Sequence, residues 1–441
     1  MDQVKFGMVG GGTVGSGVFH ALCKNNILLA SRLGVNIAIQ RVAVKAFDEP
    51  RPYEIPPSVM TTSWEEVVKD PEIQVVAELV GGTTIAKTIV LEALKLGKPV
   101  VTANKALLSK HGEELFEAAR KHDTNLYYEA SVCGGIPIIK SLREGFVGNR
   151  INQLYGIVNG TCNYILTRMN REGAEFQTVL KDAQKLGYAE AEPSLDVDGF
   201  DAQHKTGILA SLAHGFWVNP ENIYVQGIRS ITRQDMEFAG HLGYTIKLLG
   251  IVKLLETAAT KRGKSLRIQA SVYPALIPNG HVLASVNDVF NAVFVRGDIV
   301  GDTLFYGRGA GKDATASAVL SDFADAALDI KCGCRGRVPA FVPHQREATV
   351  VDIDEVVCRY FVRLFVKDIP GTLAKITRIL GDSKIGISSV IQPEGSDHGS
   401  VPLILMLHEA PNGAVRKALA KIQRLPVVTS EPVFLRVETF R

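Results

Sequence analysis

The chain of 441 residues has only six cysteines and two tryptophans, and neither sign of charge dominates, with 49 Lys and Arg against 46 Asp and Glu. Each shortage excludes something. Six cysteines are too few for a disulfide framework in a chain this long, so a reducing cytoplasm is the expected setting. Cys332 and Cys334 form an isolated Cys-x-Cys without the second pair that a zinc site wants. A net charge of +3, with Lys and Arg evenly scattered, gives no nucleic-acid surface, and small molecules are the expected partners. The apolar run over 242–255 is broken by Lys247 and Lys253 and falls short of the roughly 20 residues of a membrane span. The opening residues read as a strand rather than a signal peptide.

What is present fits an α/β protein with real cores: 46% hydrophobic residues, 22% charged and 41 glycines. At roughly 150 residues per domain, the length predicts two or three domains.

Residues 4–9 form a short apolar strand, Gly10-Gly11-Gly12-Thr13-Val14-Gly15 follows at once, and residues 14–23 carry helical periodicity. This is G-x-G-x-x-G in the strand-to-helix setting that gives the motif its meaning. Gly10 permits the tight turn, Gly12 lets the backbone approach a pyrophosphate, and Gly15 allows close helix packing. The helix N-terminus, with Thr13 and Val14, then presents free N–H groups to the phosphates. The next strand, 36–45, ends near where an adenosine ribose would lie. Lys45 stands there, a cation suited to the 2′-phosphate of NADP, and NADP is favoured over NAD; a solvated strand end is the alternative. Further strands are predicted at 75–80, 99–102 and 125–129, with helices between them as βαβ winding requires. Lys105 follows the second of these strands at its carboxyl end, where ligands of open parallel sheets sit, although a lysine there can also be merely solvated. Residues 129–137, from Glu129 to Pro137, read as the exit into a new helix and a second domain.

The run from Ala183 to Lys205 concentrates Glu190, Glu192, Asp196, Asp198 and Asp201 in a turn punctuated by glycine and proline. Crowded like charges shift one another's pKa, so such a cluster points to a bound cation or a moving proton. Asp201 and Lys205, spaced i, i+4 on a predicted helix that begins after Gly199, project from one face; the plain alternative is a surface ion pair. A calcium loop is discounted, because 196–201 lacks a third ligand before its glycine and a distal glutamate.

Ala183, Gly187, Tyr188, Ala189, Pro193, Asp196, Gly199, Asp201 and Lys205 together resemble the signature of homoserine dehydrogenases, with Glu192 before the proline as one conservative departure. The resemblance implies interconversion of homoserine and aspartate semialdehyde with NADP or NAD. It implies Lys205 as general acid and base, with Lys105 beside it and touching the cofactor. Glu190 would take the substrate ammonium, while Asp196 and Asp201 bind and orient the substrate. It also implies a monovalent cation, sodium, at Glu129, Val132, Gly134 and Ile136, held mostly through backbone oxygens. Residues 306–312, through Gly311, resemble the family's second glycine-rich turn on the nicotinamide side, and the helix 313–328 is expected to return to the first domain.

The fold class is accordingly α/β, in three parts. Residues 1–135 form a Rossmann-type dinucleotide-binding domain, residues 136–312 an α+β catalytic and dimerisation domain, and 313–345 a return helix and linker. Strands at 359–366, 385–392 and 401–408 and helices after 368 and over 414–423 give a βαββαβ module over 350–441. That module resembles an ACT domain, which implies an amino-acid effector, threonine, near Asp368 and Gly371 between paired modules in a homodimer or homotetramer. A module that only dimerises is the alternative. Two rival functions stay open: a semialdehyde dehydrogenase with Cys133 as nucleophile, and a catalytically silent amino-acid sensor.

Overall fold

The computed structural model describes residues 2–260, 263–345, 347–393 and 400–440. They form two compact units, one of 1–154, 204–221 and 291–348, the other of 155–203, 222–290 and 349–441.

The first unit is built on a six-stranded parallel sheet in the order Met60–Thr61, Asn36–Ala43, Gln3–Val9, Val75–Glu78, Val100–Thr102, Leu126–Tyr127. The chain therefore starts in the middle of the sheet and winds outward first one way and then the other, the doubly wound order that leaves a crevice at the carboxyl ends of the central strands. Val75, Val76, Ala77, Val100 and Val101 are fully buried, as strands covered on both faces require. The covering layer includes Thr13–Leu33 and the late helix Lys312–Lys331, which pack together and bury Val18, Leu22, Val319 and Phe323 against Phe6 and Met8. The rings of Phe6 and Phe323 stack with centroids 4.3 Å apart. Residues far apart in sequence thus close one core. The strand Met60–Thr61 and helix Trp64–Val68 were not expected from the sequence; both are short, and Ser63 caps the helix by accepting from the Glu66 N–H.

The second unit carries the long antiparallel pair Tyr244–Thr260 and Gly263–Pro278. The pair includes most of the apolar run of 242–255, and of the two lysines that interrupt that run Lys247 is buried and Lys253 half-buried. Lys247 Nζ donates to the Asn163 and Asn287 side-chain oxygens at 3.2 Å and to the Val286 carbonyl. Burial pushes it down to about 8. Lys253 pairs with Glu438 at 2.6 Å, and although burial works against its charge, that carboxylate holds it above the usual lysine range.

The C-terminal segment has the βαββαβ order: Val357–Lys367, Thr372–Asp382, Ile387–Ile391, Ser400–Pro411, Asn412–Gln423 and Val433–Val437. Its strands run antiparallel with the first between the fourth and the third. Alternate residues Tyr360, Val362, Leu364 and Val366 face a core closed by Ile376, Leu380, Val415, Leu419 and Ile422, the period-2 and period-3.6 faces meeting. The segment is not separate from the rest of its unit, because Val433–Val437 also pairs in parallel with Gly263–Pro278 through Ala275 and Leu276. Among the described residues, no helix is long and apolar enough to cross a membrane.

Candidate active site

The first glycine turn has the geometry a dinucleotide needs. Gly10 sits at φ +110°, where a side chain is strained, and a Cβ there would lie 2.5 Å from the Leu79 carbonyl. A Cβ on Gly15 would lie 1.9 Å from the Gly10 oxygen, so the helix can approach the strand this closely only with glycine. Gly12 faces open space and forms the N-cap of Thr13–Leu33 with no side-chain cap, leaving the first-turn N–H groups to an anion. A cavity of about 440 Å³ over Gly10, Gly11 and Gly12 is lined also by Lys45, Glu49 and Trp64. A second, of about 340 Å³, brings Gly12, Thr13 and Val14 together with Gly81, Ala103 and Asn104.

Glu78, which the sequence reading passed over, organises the far wall. Its fully buried carboxylate accepts the Val80 and Gly81 N–H groups at 3.0 and 3.2 Å and the Thr102 hydroxyl at 2.7 Å. Burial pushes its pKa up while these bonds pull it down. Asn104 donates to the Gly82 carbonyl at 2.7 Å and caps Lys105–Lys121 by accepting from the Leu107 N–H at 3.0 Å. Lys105 is thus the first residue of a capped helix at the sheet's carboxyl edge. Gly311, at φ +116°, likewise precedes Lys312–Lys331 without a side-chain cap.

At the expected cation positions the backbone is irregular, with Cys133 at φ 56° and Gly134 at φ 30°. Burial raises the Glu129 carboxyl to about 7 despite bonds from the Lys140 and Ile139 N–H groups at 2.7 and 3.0 Å. Its own N–H donates to Asp322, another buried carboxyl pushed upward, chiefly by burial. Cys133 is 1% exposed, which does not suit a nucleophile for substrate.

In the second unit the acidic turn separates into two groups. Arg229 binds Asp198 at 2.5 and 3.1 Å and Ser194 Oγ at 2.9 Å, while Ser194 also bonds Glu192. Asp198 and Glu192 are therefore used locally, and Arg229, some 30 residues downstream, was not anticipated. Asp196 and Asp201 are instead brought together by Asn159, whose amide donates to the first at 2.7 Å and to the second at 2.9 Å. Glu190 is exposed, and its backbone carbonyl accepts from Gln184 at 3.0 Å. The helix Phe200–His214 carries Asp201, which belongs to the second unit, and one turn later Lys205, which belongs to the first; the two are 5% and 8% exposed.

A doubly wound sheet, a glycine turn open to a pyrophosphate and a buried lysine beyond a carboxylate-lined turn define the class: a nicotinamide-dinucleotide-dependent oxidoreductase. Residues 10–129 match the family described as homoserine dehydrogenase, NAD binding domain, and residues 137–324 that described as homoserine dehydrogenase. A homoserine dehydrogenase of Pseudomonas aeruginosa is 42% identical over 99% of both chains. The crystal structure of one from Thiobacillus denitrificans superposes with a TM-score of 0.93 at 42% identity, again over 99% of each. A hyperthermophilic archaeal homoserine dehydrogenase in complex with NADPH matches at 0.60 and 26% identity over 74% of this chain and 98% of its own. The chain belongs to the homoserine dehydrogenase family, NAD(P)-dependent oxidoreductases acting on a CH–OH group.

Proposed function

We infer that the enzyme reduces aspartate 4-semialdehyde reversibly to homoserine, with NADPH preferred, and that Lys205 exchanges the proton at the reacting oxygen. The observation that carries this reading is the burial of Lys205 one turn beyond buried Asp201 on a single helix. Reduction of an aldehyde builds negative charge on oxygen, so a proton donor and a cationic surrounding lower the barrier. Lys205 supplies the first and Lys105 the second. Glu190 takes the substrate ammonium, and Asp196 and Asp201 orient it. Gly10, Gly12, Thr13, Val14, Gly15, Lys105 and Gly311 hold the cofactor, which when bound supplies the hydride. NADPH over NADH is supported by Lys45 lining the cavity beside the glycine turn and by NADPH in the archaeal relative.

A monovalent cation, sodium, fits the 129–136 segment through main-chain oxygens of Glu129, Val132, Gly134 and Ile136. The Glu129 carboxylate is already occupied by two N–H groups, and irregular backbone supplies oxygens to hard cations. The C-terminal βαββαβ segment is read as an ACT-like sensor for threonine near Asp368 and Gly371, working in a homodimer or homotetramer. Following NADPH oxidation on aspartate semialdehyde with and without threonine, and with sodium exchanged for a bulky organic cation, tests the whole reading. Turnover with NADPH that threonine lowers is the expected result; no turnover overturns the substrate, and indifference to threonine or to sodium removes the sensor or the cation.

A further inference from the structure

We propose that Asn159 is a positioning residue for the reaction: its side-chain amide clamps the carboxylates of Asp196 and Asp201 together and keeps both turned to the substrate. The proposal rests on the reading that these two carboxylates orient homoserine.

Asn159 is 5% exposed and its amide is used on both sides. Its oxygen accepts from the Cys162 N–H at 2.8 Å and caps the helix Gly160–Glu172. That bond fixes which end is oxygen, so the nitrogen faces the acids, at 2.7 Å from Asp196 Oδ1 and 2.9 Å from Asp201 Oδ2. Two oxygens bonded to one nitrogen lie no farther apart than the sum of those bonds. At that range two carboxylates placed together carry an electrostatic cost. A neutral amide with two N–H donors suits this place because it satisfies one oxygen of each carboxylate and adds no charge for the substrate's ammonium to oppose. Cys162 Sγ, within 3.1 Å of the Asp196 carbonyl, ties the same helix turn to the acidic loop. The helix start at Asn159 and the carboxylates 37 and 42 residues later are thereby held in one frame.

Capping and clamping can be separated. Serine caps helices about as well as asparagine and threonine nearly so, yet neither offers two N–H donors. Asn159→Ser and Asn159→Thr are therefore expected to keep the parent's thermal midpoint and KM for NADP while raising KM for homoserine at least about tenfold. Asp196→Asn and Asp201→Asn serve as controls, each expected to raise the same KM. If the controls act and both Asn159 variants keep the parent KM for homoserine, the clamp is refuted and the substrate reading survives. If the controls do nothing, the substrate reading fails and the proposal with it. Loss of folding in both cap-competent variants, or an equal rise in both KM values, shows a role in the fold alone and also overturns the proposal.

Discussion

Glu190 and His214 show how differently two titratable side chains can be placed. Glu190 is exposed on the acidic turn, with room to meet a substrate ammonium. Glu190→Ala should chiefly raise KM for homoserine and leave kcat within a few-fold; steady-state kinetics with an unchanged KM would place the ammonium elsewhere. His214 is 5% exposed, and burial, with the neighbouring His344 adding to it, lowers it to about 4 from the ordinary 6.5. The unfolded chain therefore binds a proton that the folded chain resists. Stability tied to His214 is present above about pH 6.5 and is lost as pH falls toward about 4, by up to about 3 kcal/mol. His214→Leu should flatten that loss in urea unfolding at pH about 7 and about 4.5; equal slopes for parent and variant would remove His214 as the cause. Legibility at this scale followed sequence distance. Asp196, Asp201 and Lys205 stood out because they share one short stretch with a recognisable spacing. Asn159, Arg229 and Glu78 did not, because what gives each its role is a partner brought close by folding: Asp201 for Asn159, Asp198 for Arg229, Thr102 for Glu78.

At the scale of elements, strong periodicity was readable and its ends were less so. The helix expected at 313–328 runs Lys312–Lys331, and the strand expected at 36–45 stops at Ala43, two residues short of Lys45. Strands of two residues, such as Met60–Thr61, carry no period to read. The reading also treated Arg363 as one more residue of a strand. It lies 6% exposed, donating to both oxygens of fully buried Asp235 at 2.7 and 3.2 Å, where Asp235 also closes a capping box with Thr232. Removing one partner leaves the other charge buried alone. Arg363→Met is expected to cost about 3–5 kcal/mol in chemical denaturation, and Arg363→Met with Asp235→Asn distinctly less. Additive losses in the pair would show that the two side chains do not depend on each other.

For the molecule as a whole, composition predicted the class and the glycine turn predicted the first sheet, while joins between distant segments stayed hidden. The strand Val433–Val437 hydrogen-bonds both to Val357–Lys367 and to Gly263–Pro278, and Glu438 just beyond it pairs with Lys253 in the buried interior of that sheet. Backbone pairing and an ion pair therefore join the C-terminal segment to the long hairpin. If threonine acts through this segment, Glu438→Gln should weaken its effect on turnover while leaving NADPH affinity unchanged; a parent-like threonine response would show that the signal takes another route. The proposed reaction turns on the Lys205 ammonium giving its proton to the reacting oxygen. The direct test is the turnover of Lys205→Ala in NADPH oxidation by aspartate semialdehyde, with NADPH binding measured alongside. A fall in kcat of at least about a hundredfold with cofactor affinity kept is expected, and turnover equal to the parent's would contradict that proton transfer.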